Sequence, residues 1–161
     1  QGSPGYRQLI EDLVRHLGLS DIVTLHPPVP RAALTESYAT HDVLFFHSIF
    51  DEPVALVLME AFAAGLPVVA SSAAGAQLVR DHETCLTYDL MQPETLVDAL
   101  HTLLTQAPLR AQVTAHAEQL VRAEFSLEAM GRSYDALLRE CLGQTIACSN
   151  DLSRSPLVKN D

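Results

Sequence analysis

Leu9, Ile10, Leu13, Val14 and Leu17 recur at helical spacing ahead of Gly18, which predicts an amphipathic helix over residues 4–17. Residues 22–26 read as a short strand, Pro27-Pro28-Val29-Pro30 as a rigid loop, and 31–40 as a short helix turning Ala33, Leu34 and Tyr38 inward. The run 43–47 is continuously apolar and of strand length, the pattern of a strand covered on both faces. A helix over 54–64 follows, stopped by Gly65, and then a strand over 67–70. The small-residue loop 71–76 should open a short helix through Arg80, with a fourth strand over 85–88. Three helices complete the pattern at 93–106, 108–122 and 126–141; proline opens the first two and Ser126 caps the third.

Strands alternating with helices argue an α/β class with a Rossmann-like parallel sheet and flanking helices. Such sheets bind ligands beyond the carboxyl ends of their strands. The loops after 43–47 and 67–70, which carry Glu52 and the Ser71 to Gly75 turn, are therefore expected on the ligand edge. Residues 1–142 read as one domain, and 143–161, polar and unpatterned, as a flexible tail.

The formal charge of −10, with nine arginines and one lysine, makes nucleic acid and anionic membrane poor partners. Apolar runs are short and interrupted, so neither a membrane-spanning helix nor a signal peptide is read, and a cytoplasmic protein is expected. Three cysteines, Cys85, Cys141 and Cys148, form no spaced framework and fit a reducing compartment. His82-x-x-Cys85 has ligand-like spacing, but one pair cannot close a four-ligand site, and no metal is expected.

Candidate chemistry concentrates between residues 51 and 70. Glu52 and Glu60, seven residues apart, bracket an apolar turn that leads through Gly65 and Pro67 into a strand. A carboxylate enclosed by apolar residues costs several kcal/mol unless something binds it, which points to a polar ligand. The first turn of the helix adds backbone N–H groups at Val54, Ala55 and Leu56, the usual anion site of a helix start.

The stretch Glu52-Pro53-Val54-Ala55-Leu56-Val57-Leu58-Met59-Glu60-Ala61-Phe62-Ala63-Ala64-Gly65-Leu66-Pro67-Val68-Val69-Ala70-Ser71 resembles the E-x7-E signature of glycosyltransferase family 4, retaining enzymes of the GT-B fold. The approach Tyr38 to Ser48, with His41-Asp42-Val43 inside it, and the exit Leu78-Val79-Arg80-Asp81-His82-Glu83-Thr84 also resemble that family, and the similarity runs from Gly5 to Arg139. The resemblance implies the C-terminal, donor-binding half of a GT-B protein, transferring a sugar with retention from a nucleotide-diphosphate sugar and needing no cofactor. It places Glu52 beside the transferred sugar as the catalytic residue and Glu60 on the donor ribose, with the amides of Val54, Ala55 and Leu56 toward sugar and phosphate. It also implies that the chain begins after the family's first two strands, so that the basic pair gripping the diphosphate and the N-terminal acceptor domain, or a partner chain standing in for it, lie elsewhere. Peripheral membrane association would arise only through that absent domain.

The chain departs from the family pattern at several positions. Val54-Ala55 stands for Phe-Gly, and Ser71-Ser72-Ala73-Ala74-Gly75-Ala76-Gln77 replaces a Gly-Gly turn followed by Glu. His82 and Cys85 stand where glycines are expected, and His47 where a proline is. Val54-Ala55 and Ala73-Ala74 favour an alternative, a degenerate non-catalytic nucleotide-sugar-binding or interaction module of the same fold, whereas the retained carboxylate pair favours the enzyme.

Overall fold

The apolar run ending in Ser71 becomes the central strand of a three-stranded parallel sheet in the computed structural model, which describes residues 4–50, 52, 54–75 and 77–143. Strand β1 (Leu44–Phe46), β2 (Val68–Ser71) and β3 (Leu86–Tyr88) lie in chain order, with Phe45 opposite Val69, Val69 opposite Leu86, and Ser71 opposite Tyr88. All four residues of β2 are buried, as a strand flanked on both sides requires. β1 differs from the expectation of two covered faces: it is an edge strand, and Phe45 is 44% exposed. A continuous apolar run shows that both faces tolerate burial; whether neighbours cover them is decided elsewhere in the chain.

The described residues gather in two compact units that divide between Thr40 and His41, within the span read as one domain. In the second unit, helix α3 (Leu56–Ala63) joins β1 to β2, and α4 (Glu94–Thr105), α5 (Ala107–Glu124) and α6 (Leu127–Cys141) follow β3. Ala99 and Leu103 on α4 and Val113 on α5 pack against Val69, Leu86 and Tyr88 in one core cluster. On α3 the buried positions are Leu58, Ala61 and Phe62, and this helix packs on α5. Each such side chain contributes roughly 1.5–3 kcal/mol on burial. The helix stops where expected: Gly65 takes φ +70, its N–H bonds Phe62 O at 3.1 Å, and Leu66 N–H bonds Ala61 O at 3.0 Å. Ser126 caps α6, its hydroxyl accepting from Ala129 N–H at 3.2 Å.

Between β2 and β3 no helix forms among the described residues. Leu78 and Val79 N–H groups both reach Gly75 O, at 2.8 and 2.9 Å, and the chain makes a single turn before Thr84 holds Leu78 O at 2.6 Å. Helix nucleation is costly and is ordinarily repaid by propagation; here the Thr84 bond to Leu78 O holds the turn in place of further turns.

In the first unit, α1 (Pro4–His16) and α2 (Arg31–Thr40) match the apolar spacing. The strand expected at 22–26 is absent: Ile22 is 78% exposed, and the guanidinium of Arg7 donates to Leu25 O at 3.0 Å and His26 O at 3.4 Å. β propensity makes a strand only when a ladder partner takes those carbonyls, and here a side chain does. Tyr38 is buried and Leu34 half-buried as expected, but Ala33 is exposed, and so are Leu9, Leu13 and Leu17 of the α1 stripe. The expected tail lies outside the described residues except for Gly143. No helix among the described residues is long and apolar enough to cross a membrane.

Candidate functional site

Each strand ends on a residue that hydrogen-bonds: β1 runs into His47 and Ser48, β2 ends at Ser71, and β3 at Tyr88. Parallel register brings these ends to one edge. The Ser71 hydroxyl, fully buried, donates to Ser48 O at 2.5 Å, and Ser72 N–H donates to Tyr88 O at 2.9 Å. The carboxyl ends of all three strands are thus tied together, and the loops after β1 and β2 do meet there as expected.

Glu52 sits in the loop that leaves this edge. Its Oε1 accepts from the Ser48 hydroxyl at 3.2 Å, while Phe50 N–H donates to the same Ser48 oxygen at 3.3 Å and Glu52 N–H to Phe50 O at 3.0 Å. The carboxylate is half-buried, and Oε2 has no hydrogen-bond partner among the described residues. One oxygen is fixed and the other is open to a donor.

The helix start lies slightly later than read. Ala55 is the cap residue in extended conformation (φ −95°, ψ 114°), with no side-chain cap, and its carbonyl accepts from Leu58 and Met59 at 3.1 and 3.2 Å. The amides without an intrahelical partner therefore begin at Leu56 and extend to Val57, with Val54 standing before the helix. Val54 and Leu56 are exposed, whereas Ala55, which stands where the family pattern has glycine, is only 4% exposed. The helix dipole places partial positive charge at this end.

Glu60 lies one turn further, about 6 Å along the axis from Leu56 by helical rise. It shares the outer side of α3 with exposed Leu56 and Val57, opposite buried Leu58, Ala61 and Phe62, and is itself half-buried. The desolvation argument for a ligand thus applies in part, because the neighbouring apolar residues do not enclose the carboxylate. Both carboxylates belong to one loop–helix segment that starts at the carboxyl edge of β1.

Sequence reasoning missed His47, Ser48 and Tyr88 as site residues. His47 Nδ1 is hydrogen-bonded to the hydroxyl of the buried residue Tyr88, and the rings of Phe45, His47 and Tyr88 lie within 5.5 to 6.2 Å of each other. Burial raises the Tyr88 phenol above its ordinary value, so it is protonated at neutral pH. The available signal was positional, since a residue whose side chain can hydrogen-bond, His47, Ser71 or Tyr88, stands at the end of each of these apolar strand runs or just after it. In the turn after β2 the Ser71 hydroxyl is committed to Ser48 O inside the protein, and Ser72 is the exposed serine. The His82 and Cys85 pair also divides: His82 is exposed, and Cys85 is buried with its thiol pushed up to about 11, chiefly by desolvation. Among the described residues no three His, Cys, Asp or Glu side chains gather as a metal site.

Residues 1–120 match the family model of the glycosyl transferases group 1. The D-inositol 3-phosphate glycosyltransferase of Thermobifida fusca is 34% identical over 149 residues, covering 88% of this chain and 34% of that protein. The protein of the same name from Corynebacterium diphtheriae is 38% identical over 103 residues, 63% of this chain and 24% of its own length. The chain spans 34% or less of the length of these two curated relatives. Among solved structures, sucrose-phosphate synthase from Thermosynechococcus elongatus superposes with a TM-score of 0.75 at 28% identity, over 89% of this chain and 36% of that one. Anabaena Alr3699/HepE in complex with UDP-glucose gives 0.75 at 23% identity over 86% and 38%, a likeness of fold.

Proposed function

The chain belongs to the group 1 glycosyltransferases, and from that premise we propose that it binds the nucleotide-diphosphate sugar donor of a retaining glycosyltransferase at the carboxyl edge of its sheet. The observation that carries this reading is the placement of Glu52 and Glu60 on one segment at that edge, flanking the open amides of Leu56 and Val57. A carboxylate presented to a vicinal diol accepts two charge-assisted hydrogen bonds, which suits Glu60 to the donor ribose. Glu52, with Oε2 open, takes a hydroxyl of the transferred sugar and stabilises positive charge developing at the anomeric carbon as the diphosphate leaves. The amides and dipole of α3 receive negative charge on the diphosphate.

Transfer itself belongs to a larger assembly. Chemistry in this fold is expected between two domains, so the described residues alone bind donor without steady turnover, and the acceptor is held by a further domain or chain in the cytoplasm. The alternative, a module that has lost turnover, is favoured by Val54-Ala55 and Ala73-Ala74, whereas the retained pair Glu52 and Glu60 favours the enzyme.

Calorimetric titration with UDP-glucose and UDP tests the donor site. Both ligands are expected to bind, Glu60→Ala to weaken both, and Glu52→Ala to weaken UDP-glucose alone. Failure of either nucleotide to bind, or affinities unchanged in both variants, would overturn the reading.

A further inference from the structure

We infer that Ser48 is a positioning residue for Glu52, aiming its carboxylate at the donor sugar, and that Ser71 anchors Ser48 for this task. The inference rests on the reading of Glu52 as a sugar ligand. A serine hydroxyl has one proton, and two acceptors lie near that of Ser48: Glu52 Oε1 and Phe50 O, both at 3.2 Å. Phe50 N–H already occupies an acceptor position on the same oxygen at 3.3 Å. The charged acceptor makes the stronger bond, so the proton goes to the carboxylate. Ser48 is 7% exposed and Ser71 fully buried, so these bonds are formed largely out of competition with water.

The main chain of Ser48 is fixed independently. Ser71 is the last residue of the central strand, and its hydroxyl reaches across to Ser48 O at 2.5 Å. The relay runs from the most buried strand of the sheet, through the Ser48 backbone and hydroxyl, to Glu52 Oε1, and leaves Oε2 for the ligand. A carboxylate on a free loop would have to be ordered by the ligand on binding; held by Ser48, it is ordered beforehand. Both serines touch the protein's own atoms, so they act on the donor through Glu52.

A double-mutant cycle with UDP-glucose and UDP as probes tests this by titration calorimetry on the full chain. Ser48→Ala should lower UDP-glucose affinity by about tenfold, the worth of one hydrogen bond to a charged group, with UDP affinity changed less than about twofold. In the Glu52→Ala background the further substitution Ser48→Ala should cost nothing, because its route to the sugar is gone. Equal losses for both probes, or an undiminished loss in that background, would overturn the proposal and leave Glu52 as a sugar ligand without a positioner. If Glu52→Ala alone leaves UDP-glucose affinity untouched, the reading of Glu52 fails and the relay fails with it. Should Ser48→Ala not fold, Ser71→Ala is read in the same cycle; it keeps the Ser48 hydroxyl and should give a smaller loss, again confined to UDP-glucose.

Discussion

A Cβ built on Gly75 would lie 2.9 Å from Leu58 Cδ1, so the turn after β2 and the buried face of α3 meet with no room for a side chain between them. Gly75 also has φ +57, and Val79 Cγ2 would lie 3.4 Å from the added carbon. Gly75→Ala should therefore destabilise by roughly 1–3 kcal/mol, through overpacking and left-handed strain together. Urea denaturation measures it, and an unchanged midpoint would show that Leu58 yields freely.

His82 is the only non-glycine residue with positive φ among the described residues, at 57°, and its side chain is 64% exposed. A side chain in the left-handed region is strained, and little packing is lost with this one. His82→Gly is expected to raise stability, by up to about 1 kcal/mol, although glycine also loosens the unfolded chain. A lower melting temperature would mean that the imidazole makes a contact worth more than the strain.

Removing either partner of the His47–Tyr88 bond should have unequal effects. Tyr88 is buried as a residue and His47 exposed, so His47→Ala takes the partner from a hydroxyl carried by a core side chain and should cost about 1 kcal/mol or more, whereas Tyr88→Phe leaves an imidazole nitrogen that water serves and should cost less. Paired denaturation curves decide; the reverse order would mean that the phenol is bonded elsewhere.

Cys85 predicts a pH dependence. Its folded pKa is raised from 9.0 to about 11, so above pH 9 the unfolded thiol ionises while the folded one keeps its proton. The unfolded state then binds fewer protons, and stability falls as pH rises through this window, by up to about 1.4 kcal/mol per unit. Cys85→Ala should flatten the decline between pH 9 and 11 and leave the dependence below pH 9 unchanged. Stability measured by denaturant across that range checks the difference, and parallel slopes for the two proteins would refute it.

The helices were legible in the sequence because their signals are local. Apolar spacing marked α1 and α2, Gly65 marked the end of α3 through its own φ, and Ser126 announced α6 by a cap contained within four residues. The parallel order of β1, β2 and β3 followed from strand and helix alternation, and the carboxylate pair stood out because charge is rare in so apolar a stretch.

Strand formation and burial were decided by tertiary structure, since both depend on partners distant in sequence. Residues 22–26 have strand-like composition, yet their carbonyls at Leu25 and His26 are taken by Arg7, and Phe45 is exposed because β1 lies at an edge. Glu60 reads as enclosed in an apolar run, but a helix sends alternate groups of that run to opposite sides and places it with exposed Leu56 and Val57. Nothing in the chain order joins Ser71 to Ser48 or Tyr88 to His47. Those bonds exist because parallel register brings three strand ends to one edge, where residues separated by 23 and 41 positions become neighbours.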